Sequence, residues 1–101
     1  MSLPLSGVKV LAFEQYGAGP FGTQYLADMG AEVIKIEPAG SSGDYLRDIG
    51  PYFLDGDDRN SASSIFFQAL NRNKKSMTLD VLSDEGKIIL HKLVQNADAV
   101  C

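Results

Sequence analysis

The sequence predicts an α/β protein built on a parallel sheet. Two observations carry this reading. Short, β-branched and nearly continuous apolar segments, such as Val8 to Phe13 (Val-Lys-Val-Leu-Ala-Phe) and Glu32 to Glu37 (Glu-Val-Ile-Lys-Ile-Glu), suit strands covered on both faces. Those segments alternate with helix-patterned ones in the order strand, helix, strand, loop, helix, strand, helix, strand, which implies right-handed crossovers. A third observation sets the scale. The chain has 101 residues, 45% hydrophobic and 22% charged, enough for one domain with a thin core.

The first strand covers Val8 to Phe13. Gly19-Pro20 then opens a helix, with Pro20 at the first helical position, where its missing N–H costs nothing. Phe21, Tyr25, Leu26 and Met29 recur at helical spacing as its apolar face, and Gly30 is its stop. The second strand, Glu32 to Glu37, ends at Pro38. Ala39 to Ala62 is irregular, punctuated by Gly40, Gly43, Gly50, Pro51 and Gly56. Ser63-Ser64 is a cap for a short helix through Leu70. Ser76 to Val81 reads as the third strand. Ser83 caps the last helix, and Asp84 and Glu85 in its first turn suit the helix dipole. Ile89, Leu90, Leu93, Val94 and Ala97 give that helix a wide apolar stripe. Asp98 to Cys101 opens a fourth strand, with Cys101 expected in the interior. A strand cut at its start implies a piece of a longer chain, or a sheet completed by a partner. Such a piece is expected to be poorly stable as a monomer.

Net charge −4 argues against nucleic acid or a membrane surface as partner. No apolar run approaches the ~18 residues of a spanning helix. Met1 to Gly7 lacks the pattern of a signal peptide. A single cysteine makes no internal disulfide, and a reducing cytoplasm follows as the expected compartment. No Cys/His cluster is present to hold a metal. Asp44, Asp48, Asp55, Asp57 and Asp58 lack the spacing of a calcium loop and read as solvated loop charge.

Ligands of such sheets bind beyond the carboxyl ends of the strands, where Glu14 to Gly19, Pro38 to Asp48 and the turn after Val81 fall. Gly17-Ala18-Gly19-Pro20-Phe21-Gly22 fits the G-x-G-x-x-G spacing, with Glu37 about twenty residues on. A dinucleotide fingerprint has its first glycine at the strand end. Here Glu14, Gln15 and Tyr16 intervene, and Pro20 removes an N–H from the anion cradle. Three readings stand: an NAD site, a site for another phosphate-bearing ligand, and a glycine turn that lets the helix start close to the strand.

The flanking residues add a resemblance. Pro4-Leu5-Ser6-Gly7-Val8-Lys9-Val10-Leu11, then Ala18-Gly19-Pro20, then Leu26 to Glu37 (Leu-Ala-Asp-Met-Gly-Ala-Glu-Val-Ile-Lys-Ile-Glu) closely resemble the opening of class III CoA-transferases of the formyl-CoA transferase and carnitine CoA-transferase type. Asn71-Arg72-Asn73-Lys74-Lys75-Ser76 with Leu79-Asp80 resembles the next signature of that family, and Glu85-Gly86 and Ala97 to Val100 match its next helix and strand. Acyl-CoA racemases of the same superfamily are similar here too. The resemblance implies the N-terminal part of a Rossmann-like large domain, an interlocked homodimer, coenzyme A as the bound thioester partner, and acyl-CoA and a carboxylic acid as substrates. In the family an aspartate takes the acyl group as a mixed anhydride, splitting one hard exchange into easier steps. That aspartate lies beyond Cys101 in the resemblance, and no aspartate of this sequence matches it, so no catalytic residue is expected here. Tyr16, Gly17 and Ala18 are implied to lie against CoA. Pro38 stands where the family often has an arginine near the adenosine phosphates. Leu79 is implied to line the adenine pocket, with Asn73, Lys74 and Lys75 close by.

Single residues leave alternatives open. Arg72, Lys74 and Lys75 form the dense basic cluster of an acidic chain and suit either a phosphate or a solvated helix end. Glu14 and Gln15 suit either an acyl group or hydrogen bonds within the loop. His91 reads as partly exposed, not catalytic. A non-catalytic α/β segment remains the rival to an enzyme fragment.

Overall fold

The computed structural model describes residues 2–54 and 64–101. Its elements are β1 (Lys9–Ala12), α1 (Ala18–Asp28), β2 (Glu32–Pro38), α2 (Ile65–Asn71), β3 (Lys75–Leu79), α3 (Asp84–Gln95) and β4 (Ala99–Val100), with a 3-10 turn at Tyr45–Asp48. The four strands form one sheet in the order β3-β2-β1-β4, and every pairing is parallel. The α/β expectation is met element for element. The chain steps outward from β1 to β2 to β3, then returns through α3 to the far side of β1. A switch in direction therefore falls between β1 and β4, the place where such sheets open a crevice.

Small apolar residues, on alternate positions in β1, build the helix-covered face. Val10 and Ala12 from β1 and Val33 from β2 pack with Ala27 and Ala31, and Leu5, Val8 and Leu26 close the edge of this cluster. The expected apolar face of α1 is corrected. Phe21, Tyr25 and Met29 are exposed, while Pro20, Thr23, Gln24 and Ala27 face inward. Those four share the i, i+3, i+4, i+7 spacing of one helix face. Thr23 is there because the Glu14 carboxylate lies beneath and accepts from its hydroxyl. Pro20 is the third residue of α1, not the first. Its missing N–H is still harmless there, because the first four N–H groups of a helix have no partner within it.

Ser64 caps α2 by accepting from the Phe67 N–H, and Ser83 caps α3 by accepting from the Gly86 N–H. Ser63, Asp55, Asp57 and Asp58 lie outside the described residues. The stripe on α3 exists but is not covered: Ile89 and Val94 are exposed, and Leu90 and Leu93 are half-buried. Cys101 is likewise exposed, contrary to expectation. It extends the ladder, donating its N–H to the Leu11 carbonyl and accepting from the Phe13 N–H, yet among the described residues no layer covers its side chain.

Candidate functional site

The site lies where β1 ends. After Ala12 the chain must reach the start of α1, and it does so through Phe13 to Gly17. Phe13, Glu14, Gln15, Ile36, Glu37, Pro38, Leu79 and Val81 line an open hollow of ≈ 280 Å³ beyond the carboxyl ends of β1, β2 and β3. Tyr16, in the loop beside it, has a backbone φ of 68°, the left-handed region that a bulky side chain rarely enters. Its ring is half-exposed and stacks on Tyr45, with centroids 5.4 Å apart, and on Phe66 at 6.2 Å.

Beneath the loop lies a buried cluster of charges. Glu14 turns inward and accepts from the Thr23 hydroxyl at 2.9 and 2.7 Å and from Lys74 Nζ at 2.8 Å. Lys74 Nζ also donates to the carbonyls of Pro20 and Leu70 and to Asn71 Oδ1. Lys35, projecting from β2, donates to Asp44 Oδ2 at 2.5 Å and to Asn71 Oδ1 at 2.8 Å, and its Nζ lies 4.0 Å from Glu14 Oε1. Asp44 Oδ1 accepts from the Leu46 N–H at 2.9 Å and from the Tyr16 N–H at 3.2 Å. The four charged side chains are between 0% and 3% exposed. Two cations and two anions make the cluster neutral, which is what makes such burial tolerable. Burial pulls the Lys74 ammonium below the ordinary lysine range, and the hydrogen bond and charge of Glu14 offset part of that.

Glu37 is equally committed. Its Oε1 accepts from the Asp44 N–H at 3.1 Å and Arg47 Nε at 2.9 Å, and its Oε2 from Arg47 Nη2 at 2.8 Å and the Ser76 hydroxyl at 2.5 Å. Burial raises its pKa, but Arg47, Ser76 and the Asp44 N–H together outweigh that and hold it below the ordinary range. A carboxylate offers about four lone-pair positions, and all four are used. Nothing remains on Glu37 to hold ribose hydroxyls, so the dinucleotide reading loses its acidic residue. The glycine spacing has a different cause as well. A Cβ on Gly19 would stand 2.9 Å from Glu14 Cβ, so the glycine lets α1 close down on the buried carboxylate.

The eight residues expected to contact a cofactor do not converge. Tyr16, Gly17, Ala18, Pro38 and Leu79 fall at the carboxyl ends of the strands. Lys75 begins β3, about 13 Å from Leu79 at ~3.3 Å per residue, and pairs with Glu32 at 2.8 Å. Asn73 sits in the preceding turn and donates to Asp28 at 2.8 Å. Lys74 is inside the protein, neither a solvated helix end nor a free cation. Asp44, expected as solvated loop charge, is fully buried. Lys35, Asp44 and Asn71 are the participants that sequence reasoning missed. Lys35 carried a usable signal: a cation at the centre of an apolar strand needs a buried partner. Glu14 is bound by hydrogen bonds, though from Thr23 in α1 and Lys74 before β3 rather than within the loop, while Gln15 is exposed. Among the described residues no group of three or more His, Cys, Asp or Glu is placed to hold a metal, and no helix is long and apolar enough to cross a membrane.

Comparison with known proteins places this geometry. The sequence profile described as CoA-transferase family III matches residues 5–101. A succinate–glutarate CoA-transferase of Agrobacterium fabrum is 43% identical over 96% of this chain and 24% of its own length. A formyl-CoA:oxalate CoA-transferase of Escherichia coli is 42% identical over 97% of this chain and 22% of its own. A crystal structure of a CAIB/BAIF family protein from Brucella suis superposes with a TM-score of 0.83 at 38% identity, over 99% of this chain and 25% of that one. The chain thus spans about a quarter of the length of the relatives it matches.

Proposed function

The chain belongs to CoA-transferase family III, and on that premise we propose that it is the N-terminal, CoA-binding segment of an enzyme that moves CoA between an acyl-CoA thioester and a free carboxylic acid. The observation that carries this reading is the hollow at the carboxyl ends of β1, β2 and β3, with Tyr16, Gly17 and Ala18 beside it and Pro38 and Leu79 in its wall. In this reading the 16–18 backbone meets the thioester cofactor, and Leu79 offers an apolar wall to the adenine. Asn73 and Lys75 are left to a distal part of the CoA molecule or to none of it, because both are engaged by carboxylates at the amino ends of the strands. None of the described aspartates is assigned the acyl-accepting role. Asp44 is buried against Lys35, and Asp28 is held by Arg72 and Asn73. In this reading the acyl-accepting role and the choice of acid belong to the whole enzyme, which is an interlocked homodimer in a cytoplasmic setting.

Ligand-induced thermal shift separates this reading from its rivals. CoA, binding the folded state only, raises the midpoint, by an amount equivalent to about 2.7 kcal/mol at a hundredfold excess over Kd. NAD+ leaves it unchanged, because Glu37 is already saturated. A shift with NAD+ and none with CoA would sink the proposal.

A further inference from the structure

We propose that Asp44, anchored by Lys35, is a positioning residue that sets the Tyr16-Gly17-Ala18 loop in its ligand-ready shape. The inference rests on the CoA reading for its functional consequence, but its structural half stands alone.

Tyr16 has to be held where it is. A left-handed backbone is unfavourable for a non-glycine residue, and Tyr16 sits at φ 68° between the buried Glu14 and the start of α1. Its ring is half-exposed, so the stack with Tyr45 and Phe66 fixes the side chain more than the backbone. What fixes the backbone among the described residues is the bond from the Tyr16 N–H to Asp44 Oδ1 at 3.2 Å. A hydrogen bond to an ionised acceptor is stronger than one to a neutral acceptor.

Asp44 is in turn over-determined. Its Oδ2 takes the Lys35 ammonium, its Oδ1 takes the Leu46 N–H, and its own N–H donates to Glu37. Lys35 rises from the centre of β2, an inner strand paired on both sides by β1 and β3. The path from sheet to loop is therefore Lys35, Asp44, Tyr16. Glu14, two residues before Tyr16, is tied separately through Lys74 and Thr23. The two anchors hold the loop at two points, and only the Asp44 anchor reaches the strained residue.

Removing Asp44 alone strands a buried cation, so the test uses a Lys35→Met background, in which the Leu46 N–H and the Glu37 carboxylate still hold residue 44. K35M/D44N keeps an oxygen acceptor for the Tyr16 N–H; K35M/D44A does not. CoA affinity is measured by calorimetry on each intact chain, with folding checked by circular dichroism. The expected result is at least fivefold weaker CoA binding for K35M/D44A than for K35M/D44N, with both folded. Equal affinity of the two folded variants would overturn the role. Should either variant not fold, hydrogen exchange on the unaltered chain decides. The Tyr16 amide is expected to be protected before CoA is added, and exchange at the rate of an open loop would overturn the proposal. Absence of CoA binding by the unaltered chain, with the Tyr16 amide protected, would count against the CoA reading and leave the loop-positioning half in place.

Discussion

Lys74 shows how far burial changes the meaning of a residue. In the sequence it is one of three cations in a run and suits a phosphate; in the fold its ammonium is spent on Glu14 and three neutral acceptors. Substitution Lys74→Met leaves Glu14 buried beside a lone hydroxyl and a more distant Lys35. Breaking one partner of a buried pair costs about 3–5 kcal/mol, enough to remove most of the cooperative urea transition of a small chain. An unchanged urea midpoint would contradict the burial. Glu37 supplies a pH-dependent counterpart. Its folded pKa lies below its unfolded value of about 4.3, so the unfolded chain binds more protons between the two and stability rises with pH there. The stabilisation is present above pH ~5 and is lost as pH falls through the folded pKa. Glu37→Gln is expected to flatten the acid limb of a midpoint-against-pH profile; an identical limb would show that Glu37 is not its source. At this scale the sequence was only partly legible. Glu37 could be located at the end of a strand, but its role turned on Arg47 and Ser76, which are distant in the chain and signalled by no local pattern.

Elements were the most legible level, because caps and periodicities are local. The caps at Ser64 and Ser83 and the run of strands follow from short-range chemistry alone. Ser83→Ala is expected to cost about 1 kcal/mol in denaturant unfolding, the usual worth of such a cap. Gly86, in the first turn of α3, allows a close approach: a Cβ there would collide with the Asp80 carbonyl at the end of β3. Gly86→Ala is therefore expected to destabilise by more than Ser83→Ala, since backbone must move to make room. The opposite ranking would mean that α3 does not pack so tightly on that turn. What failed at this level was the inward face of α1. Phe21, Tyr25 and Met29 follow an apolar stripe, yet the helix turns Thr23 and Gln24 inward, and Thr23 donates to Glu14. A hydrophobic pattern locates the core face only when the layer below is itself apolar.

At the scale of the whole molecule the two sides of the sheet differ. Val10, Ala12 and Val33 pack with α1, while α3 leaves Ile88, Ile89 and Val94 exposed and β4 leaves Val100 exposed. Surface substitutions away from packed features usually change stability by less than ~0.5 kcal/mol. The pair Ile89→Lys and Val94→Lys is thus expected to leave the thermal midpoint nearly unchanged in differential scanning calorimetry. A large drop in midpoint would show that these side chains are covered in solution. The short segment 72–74 has a mechanical effect on the same scale. Arg72 and Asn73 hold Asp28 at one end of α1, and Lys74 holds the Pro20 carbonyl and Glu14 at the other. Three consecutive residues thus grip both ends of a helix about 16 Å long. The helix cannot tilt about either end without loosening the turn before β3. The same turn therefore ties the loop side of α1, at the carboxyl ends of the strands, to Asp28 at their amino ends.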